Sequence, residues 1–146
     1  MYEQLKLDNQ LCFRLYTAAR LVVQSYYPLL EKLGVTYPQY LVLMVLWEQD
    51  GQPVNDIAKR LKLNTNTVTP LLKRMEAEGL LTREKGHADA RQMIVRLTPE
   101  GKRLRETSRN IPSCMLENML HGSRMREEEL LSLAPLLDNL IASLGT

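Results

Sequence analysis

Two cysteines, Cys12 and Cys114, are the nucleophiles that stand out in this 146-residue sequence. Cys12 follows Asp8 by four positions, and Asp is a good helix N-cap. That spacing predicts a thiol in the first turn of a helix. Unpaired backbone N–H groups and the helix dipole favour a thiolate there. Tyr16 lies four residues further on, hence on the same helical face. A thiolate so placed attacks a peroxide oxygen and becomes a sulfenic acid, which a second thiol traps as a disulfide. The other fate of a free cysteine is a small, inert core side chain, and the residues alone leave both readings open.

A second set of side chains suits nucleic acid. Thr65, Asn66, Thr67 and Thr69 are short polar groups at a predicted helix start, followed by Lys73 and Arg74. In a major groove, Asn pairs with adenine and a Thr methyl touches thymine. Lys73 and Arg74, with Lys59, Arg60 and Lys62 just upstream, are placed to neutralise phosphates, which gives salt-dependent affinity without sequence information. Arg91 sits at the tip of a predicted loop, two residues after Asp89, and a guanidinium suits the negative potential of a narrow minor groove. A solvated basic face and an ordinary exposed turn pair are the plainer readings. His87 and His121 have no Cys or second His at ligand spacing, so no metal site and no cofactor are expected.

The charge is segregated. From Lys59 to Arg109 there are 13 Lys+Arg against 6 Asp+Glu, a surplus of seven, whereas the rest of the chain holds 6 and 11. The net charge of +2 is the remainder of a basic middle between acidic flanks. This pattern suits a polyanion-facing element between partner-facing ones.

These side chains need elements to hold them. Residues 8 to 33 show an apolar stripe at Leu11, Leu15, Ala18, Val22, Tyr26, Leu29 and Leu33, which predicts a helix capped by Asp8 and kinked or broken at Pro28. Thr36 begins a capping box with Gln39, and Pro38 stands in the first turn. The all-apolar run Tyr40 to Trp47 behind it predicts a central helix that ends at Asp50-Gly51. A short helix, Val54 to Lys62, and a second from about Thr65, capped by Asn64, are joined by a tight turn and form a helix-turn-helix. Thr69-Pro70 would instead start the second helix a turn later, but a proline about five residues in disrupts fewer bonds than one at mid-helix.

Leu81 to Lys85 and Gln92 to Leu97 read as strands around the loop Gly86 to Arg91, a β-hairpin wing. Thr98-Pro99 opens a helix to about Asn110, interrupted by Pro112. A last helix, near Arg126 to Leu144, should bend at Pro135.

Composition fits one domain with a core: 45% of residues are hydrophobic and 25% charged. No apolar run approaches the roughly 20 residues of a membrane span, and the N-terminus lacks a signal-peptide pattern. Two cysteines make neither a disulfide scaffold nor a Cys-only zinc site, so a cytoplasmic, reducing setting is expected. The terminal helices carry more apolar surface than a small winged domain covers alone, which predicts a symmetric dimer.

The order helix, helix-turn-helix, wing with Asp89-Ala90-Arg91, Leu97-Thr98-Pro99-Glu100-Gly101, helix resembles the MarR family of dimeric winged-helix transcription regulators. The segments Leu7 to Tyr16 and Leu33 to Leu41 are similar to its OhrR branch, the organic-hydroperoxide-sensing repressors. Val68-Thr69-Pro70-Leu71-Leu72-Lys73-Arg74-Met75 matches the recognition helix of that branch, with valine for the first leucine. Asn64-Thr65-Asn66-Thr67 departs from the acidic cap and Ser-Gly pair of the family, so its base contacts and operator should differ.

The resemblance implies a mainly α fold with a small β-hairpin wing, in a single MarR-type domain over residues 1–146. Residues of about 1–35 and 100–146 would dimerise, and about 36–99 would form the winged helix-turn-helix. It implies a homodimeric repressor on palindromic double-stranded DNA, with an organic hydroperoxide as inducer. Tyr26 and Tyr37 would join Tyr16 in stabilising the Cys12 thiolate, and Asp89 would hold Arg91. Cys114 would resolve the oxidised Cys12 of the other subunit. The runner-up is a MarR-type repressor that answers to a phenolic ligand or another oxidant, with its cysteines silent. A thiol peroxidase would need a thioredoxin-like βαβ pattern or a Cys-x-x-Cys, and neither is present.

Overall fold

Helix formation begins at Leu11, not at Asp8. In the computed structural model, which describes residues 2–122 and 124–145, the first long helix is α1, Leu11–Glu31. Two short 3-10 turns precede it, Glu3–Leu5 and Leu7–Asn9. The expected Asp8 cap is therefore corrected: Gln10 is the N-cap residue, and its side chain makes no capping bond. The Gln10 amide instead reaches back to the Lys6 carbonyl at 2.7 Å and the Gln4 carbonyl at 2.9 Å. Asn9 donates to the Glu3 carbonyl at 2.7 Å. These bonds hold the turns against continued helix. Pro28 does not break α1, which runs three residues past it.

Thr36 and Gln39 form the predicted capping box, and α2 spans Tyr37–Glu48. Its apolar run buries Val42, Leu43, Val45 and Leu46 against α1 and three later helices. Asp50 ends the helix by accepting from the Gly51 N–H and, across 47 positions, from the Leu97 N–H, both at 2.9 Å.

Helices α3, Val54–Leu61, and α4, Thr65–Ala77, form the helix-turn-helix. Lys62 caps α3 at φ 57°, a left-handed conformation that costs a non-glycine residue about 1–2 kcal/mol. Helix α4 starts at Thr65 behind Asn64, as expected, and runs through Pro70 without interruption. Val68, Leu72 and Met75 are fully buried, and burying each such side chain is worth about 1.5–3 kcal/mol.

The wing strands are β2, Leu81–Lys85, and β3, Met93–Leu97, paired antiparallel in register Leu81 with Leu97. A two-residue strand β1, Gln52–Pro53, pairs with β3 on its other side and gives the order β1-β3-β2. It was not expected, because two residues carry no periodicity. Helix α5, Pro99–Thr107, starts on the predicted Thr98 cap. Gly101 is required where α5 passes the residue ahead of β2: a Cβ there would collide with the Leu80 carbonyl oxygen. The Trp47 indole donates to the Gly101 carbonyl at 2.9 Å.

The C-terminal helices are more divided than expected. Helix α5 stops at Thr107, and α6, Ile111–Leu120, takes Pro112 into its first turn. The last helix is two, α7, Glu127–Leu131, and α8, Leu133–Leu144. The break falls at Ser132, three residues ahead of Pro135. Pro135 has no N–H for the Leu131 carbonyl, so the turn before it is the one that opens.

Candidate DNA interface and thiol site

Helix α4 is built to present its first turn. The Asn64 carboxamide oxygen accepts from the Asn66 N–H at 2.9 Å, which satisfies one of the free donors of a helix start. Asn66 and Thr67 are exposed, and Thr65 and Thr69 half-buried. Pro70 has no N–H to give the Asn66 carbonyl. Lys73 and Arg74 are exposed on the outer face, with no ion pair among the described residues. Arg60, expected with Lys59 and Lys62 to neutralise phosphates, is ion-paired to Glu48 of α2 at 2.5 Å.

The wing is tied to α4 by a contact that sequence reasoning missed. Arg83 of β2 donates from its backbone N–H and its Nε to the Glu76 carboxylate, at 3.0 and 3.1 Å. These donors hold the Glu76 carboxyl below its ordinary range. At the wing tip, Asp89 Oδ1 accepts from the Arg91 backbone N–H at 3.0 Å and from its Nε at 3.2 Å. The guanidinium first, then the backbone N–H, keeps the Asp89 carboxyl below the usual value. Arg91 is the more open partner, 91% exposed, so the carboxylate holds one edge of the guanidinium and the rest faces solvent.

Cys12 is exposed, at the second position of α1. It is nearer the helix start than the spacing from Asp8 suggested. Arg14 folds back over this end and donates to the Gln10 carbonyl at 2.9 Å and to the Asp8 carbonyl. Tyr16 is 68% exposed on the same helix. Tyr26 and Tyr37 come together elsewhere, with ring centroids 4.8 Å apart, and Tyr40 joins them at 5.9 and 6.4 Å. Burial raises the hydroxyls of both Tyr26 and Tyr37, and Tyr37 adds to the effect at Tyr26, so both are neutral hydrogen-bond donors. Fourteen helical residues, about 21 Å at 1.5 Å each, separate Cys12 from Tyr26. Within one chain the three tyrosines are thus two groups, one beside Cys12 and one far from it.

Cys114 is half-buried in the first turns of α6, and both thiols are free. A groove of about 990 Å³ opens between α1, α6 and the C-terminal helices. Leu11 and Leu15, which flank Cys12, and Pro112 and Met115, which flank Cys114, all line it. Leu131, Leu136 and Leu144 of the C-terminal helices are exposed. No helix among the described residues is long and apolar enough to cross a membrane.

Comparison with known proteins places these features. Residues 35–93 match the model of the MarR family. The chain is 44% identical over 115 residues to the organic hydroperoxide resistance transcriptional regulator of Bacillus subtilis, covering 79% of this chain and 78% of that one. Among solved structures, overoxidised AbfR bound to DNA superposes with TM-score 0.76 at 38% identity, over 97% of this chain and 98% of the other. Disulfide-formed AbfR superposes with TM-score 0.65 at 40% identity, over 95% of each. AbfR is from Staphylococcus epidermidis.

Proposed function

Because this chain belongs to the MarR family of transcriptional regulators, we propose that it is a repressor that senses organic hydroperoxides through Cys12 and leaves its operator when oxidised. The observation that carries this reading is the exposed thiol at the second position of α1, on a helix end with no side-chain cap. Backbone N–H groups and the Arg14 guanidinium surround that end with positive charge. The thiolate sulfur attacks the terminal peroxide oxygen, the O–O bond breaks, and the alkoxide leaves to be protonated to the alcohol. Sulfur is oxidised by two electrons to the sulfenic acid, and the peroxide is reduced. Attack by the Cys114 thiolate of the partner chain then forms a disulfide, with the hydroxyl and one proton leaving as water. The apolar side chains of Leu11 and Leu15 beside Cys12 favour an organic over an inorganic peroxide.

Tyr16 serves the thiol of its own chain, and Tyr26 and Tyr37 that of the partner, a reading supported by the roughly 21 Å of helix rise between Cys12 and Tyr26 within one chain. Two interlocked copies fill the groove and cover the exposed leucines. In the reduced dimer, two α4 helices enter successive major grooves of a palindromic operator, through Thr65, Asn66, Thr67 and Thr69, with Lys73 and Arg74 on phosphates. Arg91, held by Asp89, enters the minor groove. The existence of overoxidised and disulfide forms of the similar AbfR supports a redox-active cysteine here.

The test is a gel shift on operator DNA with and without cumene hydroperoxide, for wild type and Cys12→Ser. Wild type should release and Cys12→Ser should stay bound. Release of both would remove Cys12 as sensor. Release by a phenolic compound alone would favour the ligand-responsive reading. On non-reducing electrophoresis, oxidised wild type should run as a covalent dimer that Cys114→Ser abolishes.

A further inference from the structure

Gln39 is 2% exposed and uses both ends of its amide. Its Oε1 accepts from the Thr36 N–H at 3.0 Å, which closes the capping box of α2. Its Nε2 donates to the Glu78 carboxylate at 3.2 Å, across 39 positions. Glu78 is the C-cap residue of α4, the helix that reads DNA in MarR proteins. Tyr37, whose ring rests on Tyr26, lies between Thr36 and Gln39.

An amide fixed at its oxygen cannot turn its nitrogen independently. When the entry of α2 shifts, the Thr36 N–H carries the Gln39 oxygen with it, and the donor either drags Glu78 or releases it. The pair, a buried amide on an exposed carboxylate, has two discrete arrangements, made and broken. The other end of α2 is tied to the wing through Asp50 and the Leu97 N–H, so the recognition helix and the wing both hang on one helix.

We propose that Gln39 is the positioning residue that couples the Tyr26–Tyr37 cluster to the recognition helix, through its hydrogen bond to Glu78. This rests on the reading above that the cluster is the sensing end and α4 the DNA-reading end. No sequence signal pointed to it, because the capping box accounts for Gln39 by itself.

Gln39→Glu keeps the oxygen that accepts from Thr36 and sets a carboxylate against Glu78. Gln39→Glu/Glu78→Gln exchanges donor and acceptor and restores the bond. The probe is a DNA fragment selected from a random pool by reduced wild-type protein. Affinity for it is measured before and after cumene hydroperoxide, with melting temperature recorded for each variant. In Gln39→Glu the ratio of oxidised to reduced dissociation constants should fall at least fivefold, the lower end of ordinary coupling, and the double variant should recover it.

A second arm needs no peroxide. Tyr26→Leu should change the affinity of reduced protein severalfold in the wild-type background and leave it unchanged in Gln39→Glu. If wild type ignores hydroperoxide, the sensing reading fails while this second arm still decides the coupling. An unchanged ratio in Gln39→Glu, additive effects of Tyr26→Leu and Gln39→Glu, or a double variant that does not recover would each overturn the role of Gln39.

Discussion

The winged core and the terminal helices finish their packing in different ways. In the core, Leu43, Leu46, Ile57, Val68, Leu72 and Val95 are all fully buried within one chain. On the terminal helices, Leu11, Tyr16, Leu131, Leu136, Ile141 and Leu144 stay exposed, and α8 buries no residue at all. The winged core is therefore complete within one chain, and the ends leave apolar surface uncovered. A signal that arises in the ends need not remodel the reader. In the dimer proposed above it would have only to change how two such cores are spaced, and a palindromic site would be sensitive to that spacing.

The largest test of this contrast attacks the ends. Leu137→Arg puts a charge into the apolar groove and should give a monomer by sedimentation, with operator affinity lower by roughly 10²–10⁴-fold as bivalent binding is lost. A variant that remains a dimer with full affinity would erase the distinction between the regions. The core counterpart is Leu72→Ala, which should lower the unfolding free energy by about 2–5 kcal/mol in urea. The same loss should appear in the Leu137→Arg background, since sites that share no contact add; a much smaller loss there would mean that the core is not complete in one chain.

Arg91→Ala sharpens the contrast from the DNA side. It should weaken operator binding about tenfold or less and reduce the salt dependence by about one ion, with stability within about 0.5 kcal/mol of wild type. The smallest effect is the titration of Asp89. Because its folded value lies below the ordinary 3.8, the Asp89–Arg91 contact is complete above that value and is lost as pH falls through the depressed one. An NMR titration of the Asp89 carboxyl should show this low midpoint, and Arg91→Ala should return it towards 3.8.

Much of the fold was legible because it is written locally. The Thr36–Gln39 box, the Asn64 cap and the Thr98-Pro99 start each need three or four consecutive residues, and each sits where expected. The start of α1 was misread because Asp8 is by type a good N-cap, whereas Gln10 holds that position. What stops the helix is Gln10, Asn9 and Arg14 bonding backwards to carbonyls four to six residues away. Pro135 was correctly taken as a disturbance, but a missing N–H acts on the turn before it. The bonds Glu76–Arg83 and Gln39–Glu78 were out of reach, since each depends on how two elements pack. Of the candidate site, the Asp89–Arg91 contact lies where the resemblance implied it. The separation of Cys12 from Tyr26 follows from simple helix rise, since both lie on α1 ahead of Pro28.

Trp47 is the only tryptophan in the sequence. Its indole is hydrogen-bonded to the Gly101 carbonyl and meets the Tyr40 ring edge-on at 6.2 Å. The fluorophore of this protein is thus built into α2, between the tyrosine cluster and the wing. Its emission reports the seating of α2 on α5 without any label, and a stopped-flow trace at that wavelength would test whether hydroperoxide moves that joint before DNA is lost.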